Sequence, residues 1–167
     1  MEIWNNVFME YVKDENGNFN KAAQQNVDTG MGLERITRTL TGAPSVYETD
    51  VFSDIIDSIC KVLGVEYKEQ TKNSIRIIAD HSRTSTIMIS DGVVPSNVDQ
   101  GYILRRLLRR AIRQAYKLGF QGTFMSEVAK TVIAKFAPIY EAVQNNQAVI
   151  LEEIEREEKQ FLSTLEK

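Results

Sequence analysis

Apolar positions dominate residues 2–12, EIWNNVFMEYV, a stretch rich in aromatic and β-branched side chains that reads as a strand. The side-chain period of two in a strand then puts Trp4, Asn6 and Phe8 on one face. Ile3, Asn5, Val7 and Met9 fall on the other. The segment Asp14–Asn18, DENGN, carries an Asn-Gly pair, so Phe19–Val27 is expected to return antiparallel. From Gly32 the period changes to that of a helix. Leu33, Ile36 and Leu40 repeat until Thr41-Gly42-Ala43-Pro44 ends the run. A second helix, capped by Thr49 or Asp50, carries Val51, Ile55, Ile56, Ile59 and Leu63 and closes at Gly64. A third is expected from Ser74 to Ser90. The loop VVPSNVDQG, 93–101, leads into a basic helix reaching Lys117, with Gly119 as its stop. Phe124–Ala137 forms another helix, ended by Pro138. The last is predicted from Ile139 to the terminus, with Leu151, Ile154, Phe161 and Leu165 on one stripe.

The predicted fold is therefore mainly α, a helical domain preceded by a short antiparallel β-hairpin. Two strands alone are marginal in water. The hairpin is thus expected to be the remnant of a larger sheet, with Met1 an added start codon. No internal repeat or low-complexity tract is present. The 167 residues suit one ordinary domain with a piece of a neighbour, and 43% apolar content predicts a packed core.

A formal charge of −3 hides an asymmetry. Tyr102–Lys117 holds six Lys/Arg and no acid, whereas Gln147–Lys167 holds six acids against three bases. Separated charge of this kind points to a local polyanion site on an acidic protein. Cys60 is alone and sits among Ile56, Ile59 and Leu63, which predicts a buried structural thiol, and His81 is the only histidine. One Cys and one His do not make a Cys/His zinc site, so no metal site is expected. Without a transmembrane-length apolar run or a signal peptide, a reducing cytoplasm fits best and no membrane partner is expected.

Projected at about 100° per residue, 104-LRRLLRRAIRQAYK-117 separates into two arcs. Leu104, Leu107, Leu108, Ala111, Ile112 and Ala115 form the apolar one. Arg105, Arg106, Arg109, Arg110, Arg113 and Lys117 form the opposite one. Phosphates would neutralise those cations, and the Arg bias favours bidentate oxygen binding. Pairing with an acidic partner or with the acidic C-terminal helix is the alternative, and a membrane surface a third. Ahead of this helix lies Pro95-Ser96-Asn97. A carboxamide offers donor and acceptor together and so suits a base edge. A turn with an N-cap is the plainer reading. Similarly, Asp28-Thr29-Gly30 in VDTGMGLERI reads either as a turn entering a helix or as backbone that approaches a ligand beside fixed charges of both signs.

Taken in order, EIWNNVFM, VDTGMGLERI, 76-RIIADHSRTSTIMISDGVVPSN-97 and 101-GYILRRLLRRAIRQ-114 resemble the alanyl-tRNA synthetase family. The likeness is dense from Glu2 to about Gly119 and weaker beyond. It implies a division into 1–42, the end of a class II aminoacylation domain, and 43–167, the helical tRNA-recognition domain. GMGLER resembles the third class II signature motif. The resemblance implies that Arg35 is catalytic and lies on the ATP triphosphate, with Gly30 and Gly32 letting backbone approach the nucleotide. It also implies that Asp28 holds the alanine ammonium, Asn5 the carboxylate end, and that Val7 lines the methyl pocket. The same resemblance makes Asn97 a reader of the G·U wobble pair in the tRNA(Ala) acceptor stem. Arg105, Arg106, Arg109, Arg110 and Arg113 become phosphate contacts or scaffold. ATP with Mg is the implied cofactor set of the parent ligase, with none bound by this piece alone.

The sequence departs from the family at Gln100, Gln114 and Val46-Tyr47-Glu48. Motifs one and two are expected upstream and a second reader, an aspartate, downstream. The isolated chain is therefore expected to be inactive and, with bare strand edges, to self-associate. The competing reading is a non-catalytic helical interaction module whose basic helix binds an acidic protein.

Overall fold

The computed structural model describes residues 2–165. Met1, read above as a start codon, and the last two residues lie outside that range. The architecture is mostly helical with an N-terminal two-stranded antiparallel sheet, as the periodicities predict. The chain forms two compact units, Met1–Val51 and Phe52–Lys167.

In the first unit β1 (Trp4–Lys13) and β2 (Phe19–Met31) make a hairpin whose register runs from Trp4 opposite Met31 to Lys13 opposite Phe19. The turn is held by Asp14, whose carboxylate accepts the backbone N–H groups of Asn16 at 3.0 Å and Asn18 at 2.8 Å. Gly17, at φ 87°, supplies the left-handed residue the turn needs. The register is irregular between Met9 and Tyr11. The returning strand is longer than the expected Phe19–Val27. It continues through Asp28-Thr29-Gly30 to Met31, so these residues are strand and not a turn. Their pairing with Asn5, Asn6 and Val7 supplies backbone partners that local propensity does not register. Helix α1 (Leu33–Thr41) follows, with Gly32 as N-cap and Gly42 at φ 69° as its left-handed stop. A 3₁₀ turn occupies Val46–Glu48.

The second unit contains α2 (Ser53–Leu63), α3 (Lys72–Ser90), α4 (Asp99–Lys117), α5 (Met125–Phe136), α6 (Glu141–Asn145) and α7 (Gln147–Leu165). Helix α3 is central and touches α2, α4, α5, α6 and α7. Its Ile75, Ile78 and Ala79 are fully buried, as are Ile55 and Ile59 of α2 and Leu104, Ala111 and Ile112 of α4. Burying each of these isoleucine and leucine side chains contributes roughly 1.5–3 kcal/mol before chain entropy is subtracted.

Two expectations are corrected. Thr49 and Asp50 do not cap α2, which begins at Ser53 after Phe52; the Thr49 hydroxyl instead donates to the Val46 carbonyl at 2.6 Å. The C-terminal segment is also not one helix. It breaks at Asn146, whose side-chain amide donates to the Ser90 carbonyl at 2.9 Å. That bond ties the break to the end of α3. The buried stripe of α7 runs through Ile150, Glu153, Ile154, Glu157, Glu158 and Phe161, with Leu151 half-buried and Leu165 exposed.

Candidate functional site

The apolar arc of α4 packs inward and its cationic arc forms the wall of a groove. The cavity is about 570 Å³ and is lined by Tyr102, Arg105, Arg106, Arg109, Arg110, Arg113, Gln114 and Phe161. All five arginines singled out in the sequence therefore share one wall. They are not equivalent. Arg106, Arg110 and Arg113 are exposed, whereas Arg105 and Arg109 are half-buried against α7. Their Nε groups lie 3.3 and 2.7 Å from the two carboxylate oxygens of Glu157, which is itself 2% exposed. Arg109 also lies over the Phe161 ring, 5.1 Å from its centroid. The alternative of intramolecular pairing thus holds for two of the five, and one carboxylate against two guanidiniums leaves the groove cationic.

The segment ahead of α4 is built as a tight support. Ser96 donates its backbone N–H to Gly101 at 3.0 Å, and its hydroxyl donates to the Val98 carbonyl at 2.9 Å. A Cβ on Gly101 would stand 2.5 Å from the Val94 carbonyl oxygen and would collide with the Ser96 hydroxyl. Only glycine permits this approach. The N-cap of α4 is Val98, without a side-chain cap bond, and Asp99 enters at φ 48°. Asn97 is consequently not a cap. It is exposed, and its Oδ1 accepts a hydrogen bond from the Arg105 guanidinium, whose other nitrogen reaches the Pro95 carbonyl at 3.4 Å. Asp99 and Gln100, read as loop, form the first turn of the helix.

In the hairpin, opposed residues share a face. Asn5 faces Gly30 and Val7 faces Asp28, and the period of two aligns Asn5 with Val7. Asn5, Val7, Asp28 and Gly30 therefore stand together on one face. Trp4, Asn6 and Thr29 stand on the other, where the Thr29 hydroxyl accepts from the Trp4 indole and donates to Asn6 Oδ1 at 2.7 Å. Gly30 has open space where a Cβ would be. At Gly32 a Cβ would meet the aliphatic stem of Arg35 at 3.4 Å, so the glycine lets that side chain lie back along the backbone. The Arg35 guanidinium is exposed and donates to the Glu2 carbonyl at 2.9 Å.

His81 is buried with Nδ1 3.1 Å from Asp80 Oδ2. That hydrogen bond is the main cause holding the Asp80 carboxyl below its ordinary range. Cys60 is half-buried rather than enclosed, and burial, with Asp57 nearby, raises its thiol pKa. Among the described residues no three of His, Cys, Asp and Glu are grouped to hold a metal ion, and no helix is long and apolar enough to cross a membrane.

Three residues central to this geometry were not singled out in the sequence: Gly101, Glu157 and Glu158. Glu157 and Glu158 had a legible signal, since both lie on the apolar stripe between Ile154 and Phe161, where acids are costly unless paired. Glu158, 1% exposed, accepts the backbone N–H groups of Phe124 at 3.0 Å and Met125 at 3.3 Å. It caps α5 from a distant helix. Burial nonetheless dominates and raises its pKa to about 7.

Comparison with known proteins extends this picture over the full chain. Residues 1–167 match the family of class II (A) tRNA synthetases. The chain is 44% identical over 168 residues to an alanine–tRNA ligase of Acaryochloris marina, covering 99% of this chain and 19% of the relative. It is 46% identical over 167 residues to that of Pseudothermotoga lettingae, covering 99% of this chain and 20% of the relative. Against the alanine–tRNA ligase of Treponema denticola it is 48% identical over 155 residues, 90% of this chain and 26% of the relative. The chain spans about a fifth to a quarter of the length of these relatives. By sequence along its whole length, and with strand pair and helices in the expected order, this chain belongs to the class II (A) tRNA synthetases and is homologous to alanine–tRNA ligase.

Proposed function

We propose that residues 43–167 recognise the acceptor stem of tRNA(Ala) and that residues 1–42 contribute part of an alanine- and ATP-binding face, both within a cytoplasmic alanine–tRNA ligase. The single observation that carries the first part is the exposed Asn97, held by Arg105 at the head of an arginine-lined groove. Arg106, Arg110 and Arg113 are free of Glu157 and available to phosphates. Asn97 reads the minor-groove edge of the G·U pair, which an A-form stem exposes.

The second part is supported by the shared face of Asn5, Val7, Asp28 and Gly30. Asp28 fits an ammonium, Asn5 a carboxylate, and Val7 a methyl group. Arg35 spends one of its five donors on Glu2, leaving the rest for a triphosphate. A fixed guanidinium there stabilises charge that develops as the adenylate forms. Mg, when bound, offsets phosphate charge.

The test is a titration of the chain with a minihelix carrying the G·U pair and with its G·C counterpart. Tighter binding to the G·U stem is expected, and Asn97→Ala should remove about 1–3 kcal/mol of the difference. Equal affinity of the wild-type chain for both stems would refute base recognition.

A further inference from the structure

We infer that Glu157 is a positioning residue for Asn97, acting through Arg105; this rests on the reading of Asn97 given above. Glu157 makes no approach to solvent, being 2% exposed on the inner stripe of α7. Its carboxylate nevertheless holds two arginines of the groove wall, one on each oxygen. Through Nε, Arg105 is bound to Glu157; through its two terminal nitrogens it is bound to Asn97 Oδ1 and the Pro95 carbonyl. A planar guanidinium engaged on three sides cannot rotate without breaking bonds. Arg105 is thereby a rigid strut between the buried acid and the exposed amide.

The strut also sets the polarity of what Asn97 offers. Arginine is a donor only, so the atom of Asn97 turned toward it is the carbonyl oxygen. The oxygen keeps one lone pair for a further donor, such as the guanine 2-amino group of the minor groove, and the amide nitrogen is left as a donor. An amide free to flip would present either end to the stem and pair with either edge pattern. Fixing it turns a polar side chain into a directional reader. Arg109, bound to the other oxygen of Glu157 and seated over Phe161, keeps the carboxylate from swinging away.

Three variants of the whole chain test this: Glu157→Gln, Arg105→Lys and Asn97→Ala. Nitrogen-15 relaxation of the Asn97 side-chain amide reads its order without RNA. Titration with G·U and G·C stems reads discrimination. In the wild type the amide should be ordered. In Glu157→Gln and in Arg105→Lys, where a lysine keeps the charge but cannot fork, it should become mobile. The G·U over G·C ratio should fall about five-fold or more in both. An Asn97 amide that stays ordered in either variant overturns the strut. A ratio unchanged in Asn97→Ala overturns the reading of Asn97 itself, while the relaxation arm still judges the strut. Should Glu157→Gln fail to fold, Arg105→Lys, at a half-buried position, carries the same test.

Discussion

Ser96 and Gly101 are joined by a backbone hydrogen bond of 3.0 Å, which folds the Pro95-Ser96-Asn97 segment back onto the first turn of α4. The approach is so close that a methyl group on Gly101 would stand 2.5 Å from the Val94 carbonyl oxygen. On helix propensity alone, Gly101→Ala should stabilise by up to about 1 kcal/mol. The collision with backbone outweighs this. We expect a net loss of about 1–3 kcal/mol in urea unfolding, together with weaker preference for the G·U stem. An unaltered or raised urea midpoint would show that the segment can move aside.

Glu158 makes stability depend on pH in an unusual direction for an acid. Its pKa rises from 4.5 to about 7 in the folded chain, mainly through burial, so the folded state holds this proton more tightly than the unfolded state does. Its contribution is complete below pH 4.5 and is lost as pH rises through about 7. Between pH 5 and 8 the stability of the wild type relative to Glu158→Gln should fall by on the order of 1–3 kcal/mol, read from paired urea titrations. A constant difference across that range would contradict the assignment.

The exposed arginines should govern salt dependence. If Arg106, Arg110 and Arg113 each meet a phosphate, replacing one by Gln should reduce the slope of log affinity against log salt by roughly 0.9. Stem preference should persist, because phosphates carry no base identity. Filter binding from low to moderate salt checks this, and an unchanged slope for all three would remove them from the contact surface.

The hairpin should drive association. Phe8 is 79% exposed and pairs in register with Val27 at 59%. Such an uncovered apolar pair on a strand ribbon invites another chain. Sedimentation velocity of the 167-residue chain should show concentration-dependent association that Phe8→Glu weakens; an equal sedimentation coefficient at all concentrations would count against it.

Much of the fold was readable from periodicity. The α4 boundary between apolar and cationic arcs appears in the structure as drawn, because amphipathicity is a local property of residue order. The Asn-Gly turn likewise marks its hairpin. The same local logic missed the strand character of Asp28-Thr29-Gly30, whose partners lie more than twenty positions away, and the break at Asn146, which Ser90 holds from another helix. On the candidate site, motif order pointed to Asn5, Asp28, Arg35, Asn97 and the arginines; the fold puts Asn5 and Asp28 on one hairpin face and the five arginines on one groove wall, with Arg35 on α1 and Asn97 just ahead of α4.

Residue order alone therefore specified most of the helices, the family and the cationic face, since each depends on neighbours within a turn or on a contiguous motif. Which arginines remain free, which way Asn97 turns its amide, and why Gly101 must be glycine depend on α7 and the Val94–Val98 segment arriving from elsewhere in the chain. A charge is written in the sequence; its partner is a matter of distance in space, where a buried Glu157 claims two guanidiniums and leaves three to solvent.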